Sequence, residues 1–183
     1  GPNLECSQLE TSKFFCRTFI NSISEIRSHN PEYNIYYSGK EFLNDYDNVK
    51  NKFNEIVIKK DGLHRGKGVY VQGNDFEDNL ESISKLELDD SEILVIEDKF
   101  VGNEYSLMSI IDYGNNITHF PPIRDYKRLE NNEKGCNTGG MGCVIDSNNS
   151  LPFLNEEDIN ISKKINEKII ENCNNNFSNY RGI

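Results

Sequence analysis

The order of patterned segments predicts a mixed α and β fold, on three observations. Short β-branched runs at 56–58, 69–71 and 93–96 alternate with stretches whose apolar residues recur at helical spacing. Gly, Asn and Pro punctuate the boundaries. A chain of 183 residues with 10 Phe and 9 Tyr has apolar bulk for one domain or a tightly joined pair.

Taken in order, residues 9–23 place Phe15, Phe19 and Ile23 at four-residue steps behind a Thr11 or Ser12 cap, which predicts a helix. Residues 34–37 predict a short strand. A second helix is predicted over 39–53, with Phe42, Tyr46, Val49 and Phe53 on one face. Ile56, Val57 and Ile58 make 55–60 a strand that ends in lysines, 69–71 resumes a strand, 75–86 reads as a helix and 92–97 as a buried strand. Segments 105–112 and 117–120 flank Tyr113-Gly114-Asn115-Asn116, which is hairpin turn chemistry. Residues 121–142 read as a long loop rich in glycine and charge, and a loop of that length in a small domain is usually functional. Asn155 with Asp158 caps a last helix marked by Ile161, Ile165, Ile169 and Cys173, and the Asn-rich 172–179 reads as a loop.

Composition excludes several classes. The formal charge of −10 disfavours a generic grip on nucleic acid, which relies on Lys and Arg displacing counterions. Lys59, Lys60, Arg65 and Lys67 against Asp61 nevertheless give a local +3, and Arg124, Lys127 and Arg128 against Asp125 a local +2, so the remainder carries −15. Two basic islands in an acidic body suit a small anionic ligand. Five widely spaced cysteines without a C-x-x-C pair, and three histidines, give little support to a zinc site or a disulfide framework. No apolar stretch is long enough for a membrane span, and the first residues lack a signal-peptide layout, so the expectation is a soluble cytoplasmic protein without membrane partners.

Three motifs carry chemistry. The first, Ile56-Val57-Ile58-Lys59-Lys60-Asp61-Gly62-Leu63-His64-Arg65-Gly66-Lys67-Gly68-Val69, is a strand, a glycine loop and a strand. Glycines let backbone N–H groups approach phosphate oxygens and lysines offset their charge, so it can cover a triphosphate; a plain structural turn has the same appearance. It is not a Walker A loop, because three residues separate Gly62 from Gly66 and Gly68 follows Lys67. The second motif runs from Ile93 through Glu97, Asp98, Lys99 and Phe100 to Gly102, Asn103 and Glu104. A buried strand that ends in carboxylates offers backbone groups to an adenine edge and a carboxylate to ribose hydroxyls, although surface acids at a strand end look alike. The third joins Arg124-Asp125-Tyr126-Lys127-Arg128 to Gly135-Cys136-Asn137-Thr138-Gly139-Gly140-Met141-Gly142. Four glycines in eight residues cost backbone entropy and build little core, which favours a close ligand contact.

In order and wording these motifs resemble one family, glycinamide ribonucleotide synthetase (phosphoribosylamine–glycine ligase) of the ATP-grasp superfamily. The likeness starts at Leu9-Glu10-Thr11-Ser12-Lys13-Phe14, and the joining of D-x-K-R to N-T-G-G-M-G is its most specific part. It implies an α+β ATP-grasp fold, central portion, with a small lid subdomain over a larger antiparallel-sheet subdomain. The matching boundaries are core over 1–34, lid with the glycine loop over 35–101, and the second part of the core over 102–183.

The implied reaction is ATP-dependent joining of glycine to 5-phosphoribosylamine through a glycyl phosphate, giving glycinamide ribonucleotide, ADP and phosphate in purine biosynthesis. The resemblance puts Lys59 on the ATP phosphates and Gly66, Lys67 and Gly68 in the loop over them. It puts Glu97, Asp98 and Phe100 at the adenine hinge and Glu104 on the ribose. Asp125, Lys127 and Arg128, with Asn137, Thr138, Gly139, Gly140, Met141 and Gly142, match the segment that handles phosphoribosylamine and the glycyl phosphate. ATP and Mg²⁺ are the implied cofactors, with the metal ligands expected beyond residue 183; the chain alone is then expected not to turn over, and fusion to other purine-pathway domains occurs in some relatives. Departures are Lys60, His64 and Arg65 where small residues are usual, and Cys136 where Pro is usual. The alternative reading is a noncatalytic ATP-grasp-like nucleotide-binding module.

Overall fold

In the computed structural model, which describes residues 1–64, 67–131, 134–177 and 180–182, the chain divides into two units. The sheet unit comprises residues 9–22 and 27–101, and the hairpin unit comprises 1–8, 23–26 and 102–183.

The sheet unit is built on four antiparallel strands in the order β1 (Tyr33–Tyr36), β4 (Leu94–Asp98), β2 (Ile56–Lys60), β3 (Val69–Val71). Side chains alternate across a strand, so β2 and β4 each present two different faces. Ile56, Ile58, Leu94 and Ile96 point into a cluster with Phe42, Tyr46, Val49, Phe53, Phe76 and Ile83. Burying each of these large side chains contributes about 1.5–3 kcal/mol. The other face carries Val57 and Lys59 on β2, opposite Glu97 and Val95 on β4.

The helices are shorter than the periodicity predicts, each for a local reason. The helix expected over 9–23 is two, α1 (Leu4–Thr11) and α2 (Lys13–Ser22). Ser12 separates them because its hydroxyl takes the Phe15 N–H at 3.0 Å as a cap. The helix expected over 39–53 is also split, into α3 (Gly39–Asn44) and α4 (Tyr46–Lys52). Asp45 stands at the break, its carboxylate holding the Tyr36 hydroxyl and the Asn48 amide at 2.6 Å each. Of the helix expected over 75–86, only α5 (Leu80–Ile83) forms, because Asp75 instead closes a turn onto the Val71 N–H and Asn79 caps at Ser82.

In the hairpin unit β5 (Ser109–Ile111) and β6 (Ile117–His119) pair as expected around an Asp112 carboxylate that accepts from the N–H groups of Gly114 and Asn116. Residues 121–142 differ from the sequence reading. They form most of a long hairpin, β7 (Arg124–Glu130) and β8 (Lys134–Val144), where a loop is expected. Gly135, Gly140 and Gly142 sit at φ of 79°, 138° and 146°, so the glycines are what lets an irregular β8 follow β7 through two register shifts. Helix α6 (Glu156–Asn176) starts on the expected Asn155–Asp158 capping box, and it runs through most of the stretch expected as loop. Asn172 and Asn176 donate to carbonyls one turn back, and Ile170 and Cys173 are buried. Asn166 pins α6 to the Leu107 carbonyl and the Ser109 hydroxyl.

Candidate functional site

The second face of the sheet gathers charge. Lys59 and Glu97 lie diagonally across β2 and β4, and the Lys59 ammonium reaches Glu97 Oε2 at 2.5 Å. Arg17, one turn into α2, donates from Nε to Glu97 Oε1 at 2.5 Å and from Nη2 to Oε2 at 3.0 Å. Glu97 is 3% exposed, so this carboxylate is a buried anion shared by two cations. Burial pushes its pKa up, yet the Arg17 hydrogen bond and the charges of Lys59 and Arg17 overcome that and hold it below the ordinary glutamate value.

Lys13 stands at the head of the same helix. Its residue neighbours anchor the start of α2 on the glycine loop: Ser12 donates to the Asp61 carboxylate at 3.0 Å, the Phe14 N–H donates to Asp61 Oδ1 at 3.0 Å, and the Lys13 ammonium donates to the Gly62 carbonyl at 2.7 Å. Burial lowers the Lys13 pKa and the Lys59 charge lowers it further, against the opposing Asp61. Lys13, Arg17 and Lys59 against Glu97 and Asp61 leave a net +1 in an otherwise acidic chain, which suits an anionic ligand.

The glycine loop is folded on itself. His64 Nε2 lies 2.6 Å from the Asp61 carbonyl and 3.1 Å from Glu92 Oε1. A Cβ at Gly68 would come within 2.7 Å of the His64 Cβ and Cγ, so the bulky His64 occupies the room that glycine leaves. Lys67 is exposed and its N–H donates to the His64 carbonyl; Gly66 lies outside the described residues. Lys60 points to the opposite face, where it holds the Glu87 carbonyl and Glu92. Asp98 ends β4 half-buried, and Phe100 beyond it is 68% exposed.

In the hairpin unit the remaining expected residues fall on two faces of β7. Lys127 donates to the Glu104 carboxylate at 2.9 Å and lies 3.9 Å from Asp125, which brings these three together. The Glu104 pairing raises the Lys127 pKa. Arg128 instead joins Arg124, Tyr126 and Met141 around a hollow of about 480 Å³, with its guanidinium on the Gly135 carbonyl at 2.9 Å. Thr138 donates to the Lys127 carbonyl and accepts from the Gly140 N–H. Asn137 sits opposite Arg128 in the ladder, Gly142 opposite Tyr126, and Gly139 is exposed.

Arg17 and Lys13 are the residues that motif reading did not single out. Lys13 lies inside the Ser12-Lys13-Phe14 match, and its position at the head of a helix was the available signal. For Arg17 none existed, because its partner is 80 residues away.

The chain matches the family model described as phosphoribosylglycinamide synthetase, ATP-grasp (A) domain, over residues 11–183. It is 35% identical over its whole length to the phosphoribosylamine–glycine ligase of Methanococcus maripaludis, covering 42% of that protein. Over 90% of its length it is 34% identical to the ligase of the same description from Methanosarcina barkeri, covering 37%. It therefore spans about two fifths of the length of these curated relatives. Among solved structures, a phosphoribosylamine–glycine ligase from Thermotoga maritima superposes with a TM-score of 0.76 at 29% identity, over 100% of this chain and 44% of that one. A D-alanyl-alanine synthetase A from Vibrio cholerae shares the fold, with a TM-score of 0.66 at 12% identity, over 94% of this chain and 50% of that one. The α+β architecture with antiparallel sheets is accordingly that of an ATP-grasp protein. The chain belongs to the family of phosphoribosylglycinamide synthetase ATP-grasp (A) domains.

Proposed function

We propose that this chain is the nucleotide-binding core of a phosphoribosylamine–glycine ligase. The observation that carries the reading is the placement of the half-buried Arg17 and Lys59 about Glu97 and of the Lys13 ammonium on the Gly62 carbonyl of the glycine loop, in a chain whose overall charge is −10. Cations concentrated where the rest of the molecule is acidic suit the triphosphate of ATP.

In the proposed reaction ATP passes its terminal phosphoryl group to the glycine carboxylate, and ADP leaves. The amine of 5-phosphoribosylamine then attacks the acyl carbon, the C–N bond forms as the bond from the acyl carbon to the phosphate oxygen breaks, phosphate leaves with that oxygen, and the amine nitrogen gives up a proton. A carboxylate is a weak nucleophile toward a polyanion, so alignment and charge offset supply most of the acceleration. Lys59 and Lys13 would hold phosphate oxygens, with Lys67 and Gly68 in the loop that covers them. The backbone at Glu97, Asp98 and Phe100 keeps the adenine role that the resemblance implies. Glu104 keeps the ribose role, which requires it to leave Lys127. Asp125, Lys127, Arg128 and residues 137–142 keep the amine and acyl phosphate roles.

Magnesium belongs to the same proposal, but among the described residues no group of three His, Cys, Asp or Glu could hold a metal ion, so no step is assigned to one here. A cytoplasmic location and fusion to other purine-pathway domains rest on the family alone; among the described residues no helix is long and apolar enough to cross a membrane. The test is ADP release by the full-length enzyme that carries this chain. Release that needs both glycine and phosphoribosylamine is the expected result, and release indifferent to the amine contradicts the assignment.

A further inference from the structure

The carboxylate of Glu97 has a more specific use than a hinge acid. Both of its oxygens are engaged, Oε1 by Arg17 and Oε2 by Arg17 and Lys59 together. At 3% exposure it has no open side from which an adenine amino group could approach. Lys59 and Arg17 each keep 22% of their side chains exposed, so the cations and not the anion face the surroundings.

We propose that Glu97 is a positioning residue that fixes the Lys59 ammonium for the triphosphate, and that Arg17 takes up the Glu97 charge so that Lys59 still presents a cation. The proposal rests on the nucleotide reading above. Its logic is a charge count: Glu97 with Lys59 alone is neutral and would hold the ammonium in place while cancelling it. Adding Arg17 leaves the trio at +1 with the geometry intact. A flexible lysine without the carboxylate would keep its charge but lose its direction, since its four-carbon stem has many rotamers. Tyr33, across from Glu97 in the β1 ladder, closes the same face, and burial raises its pKa while the Arg17 charge opposes that. Tyr33 thus stays a neutral neighbour and leaves the count unchanged.

The experiment compares the dissociation constants of ATP and AMP, both with magnesium, for this chain and for its E97Q and R17M variants, by competition with a fluorescent ATP analogue. The unsubstituted chain is expected to favour ATP over AMP. In E97Q the ATP affinity falls about tenfold while AMP changes less than about twofold, because only the outer phosphates lose a placed cation. R17M lowers the same preference by about threefold or more, and it carries the test alone should E97Q not fold. Equal losses for ATP and AMP in both variants would mean a general structural or adenine-edge role and would overturn the proposal. An unchanged preference in a folded variant would overturn it too. If the unsubstituted chain shows no preference for ATP, the nucleotide reading itself fails, and the proposal with it.

Discussion

The two units hold the same pair of residue types in opposite circumstances. In the sheet unit a glutamate is buried to 3% exposure and clamped by Arg17 and Lys59; in the hairpin unit Glu104 meets Lys127 with 76% of its side chain exposed. Burial makes the first arrangement expensive to disturb, because removing one partner leaves charges without solvent or counter-charge. Exposure makes the second inexpensive to exchange, because water and salt replace the partner. On the proposed reading, a buried carboxylate that clamps two half-buried cations suits a fixed phosphate anchor, and an exposed pair suits a carboxylate that must change partners.

The largest break in that comparison should come from Glu97→Gln. Losing the anion shared by two cations should cost about 3 kcal/mol of stability in urea denaturation. Next is Gly68→Ala. The added Cβ meets the His64 ring and must push the loop open, costing about 1–2 kcal/mol and lowering the thermal midpoint; a full recovery in the His64→Gly, Gly68→Ala double variant would sharpen the assignment of the clash. Acid should then separate the units further. Glu97 is held below its ordinary value in the fold, so its contribution is complete above the unfolded value and is lost as pH falls through the folded one. Acid titration of stability should therefore show a drop that begins near the ordinary glutamate value and continues down through the folded one, and E97Q should show a shallower one. The smallest effect is expected from Lys127→Met, which removes the exposed pair and should move stability by less than about 1 kcal/mol, and less still in high salt. A loss comparable to that of E97Q would erase the contrast.

Sequence motifs exposed much of this, up to the limit set by range. Lys59 and the glycine loop are contiguous in sequence, so strand pattern and glycine chemistry marked them directly. The Glu97 contact depends on the register that places Val57 opposite Glu97 and Lys59 opposite Val95, which no local pattern encodes. Arg17 depends in turn on where α2 meets that face, and a lone arginine on a helix looks like any solvated charge. The hairpin of β7 and β8 was illegible for a different reason. Its glycines have no side chains to alternate, so the period-two signal vanished just where positive-φ residues built the bulges. At α6 the run of asparagines looked like a loop, while the buried Ile170 and Cys173 decided for a helix. His64 stands where a small residue is usual, and its seat over Gly68 depends on the fold of the chain.

A crystal structure of this chain with a nonhydrolysable ATP analogue tests the central claim most directly. The account predicts phosphate oxygens about 2.7–2.9 Å from the Lys59 ammonium, with Glu97 still clamped between Lys59 and Arg17. A triphosphate bound away from both Lys13 and Lys59, or an adenine amino group resting on the Glu97 carboxylate, would contradict it.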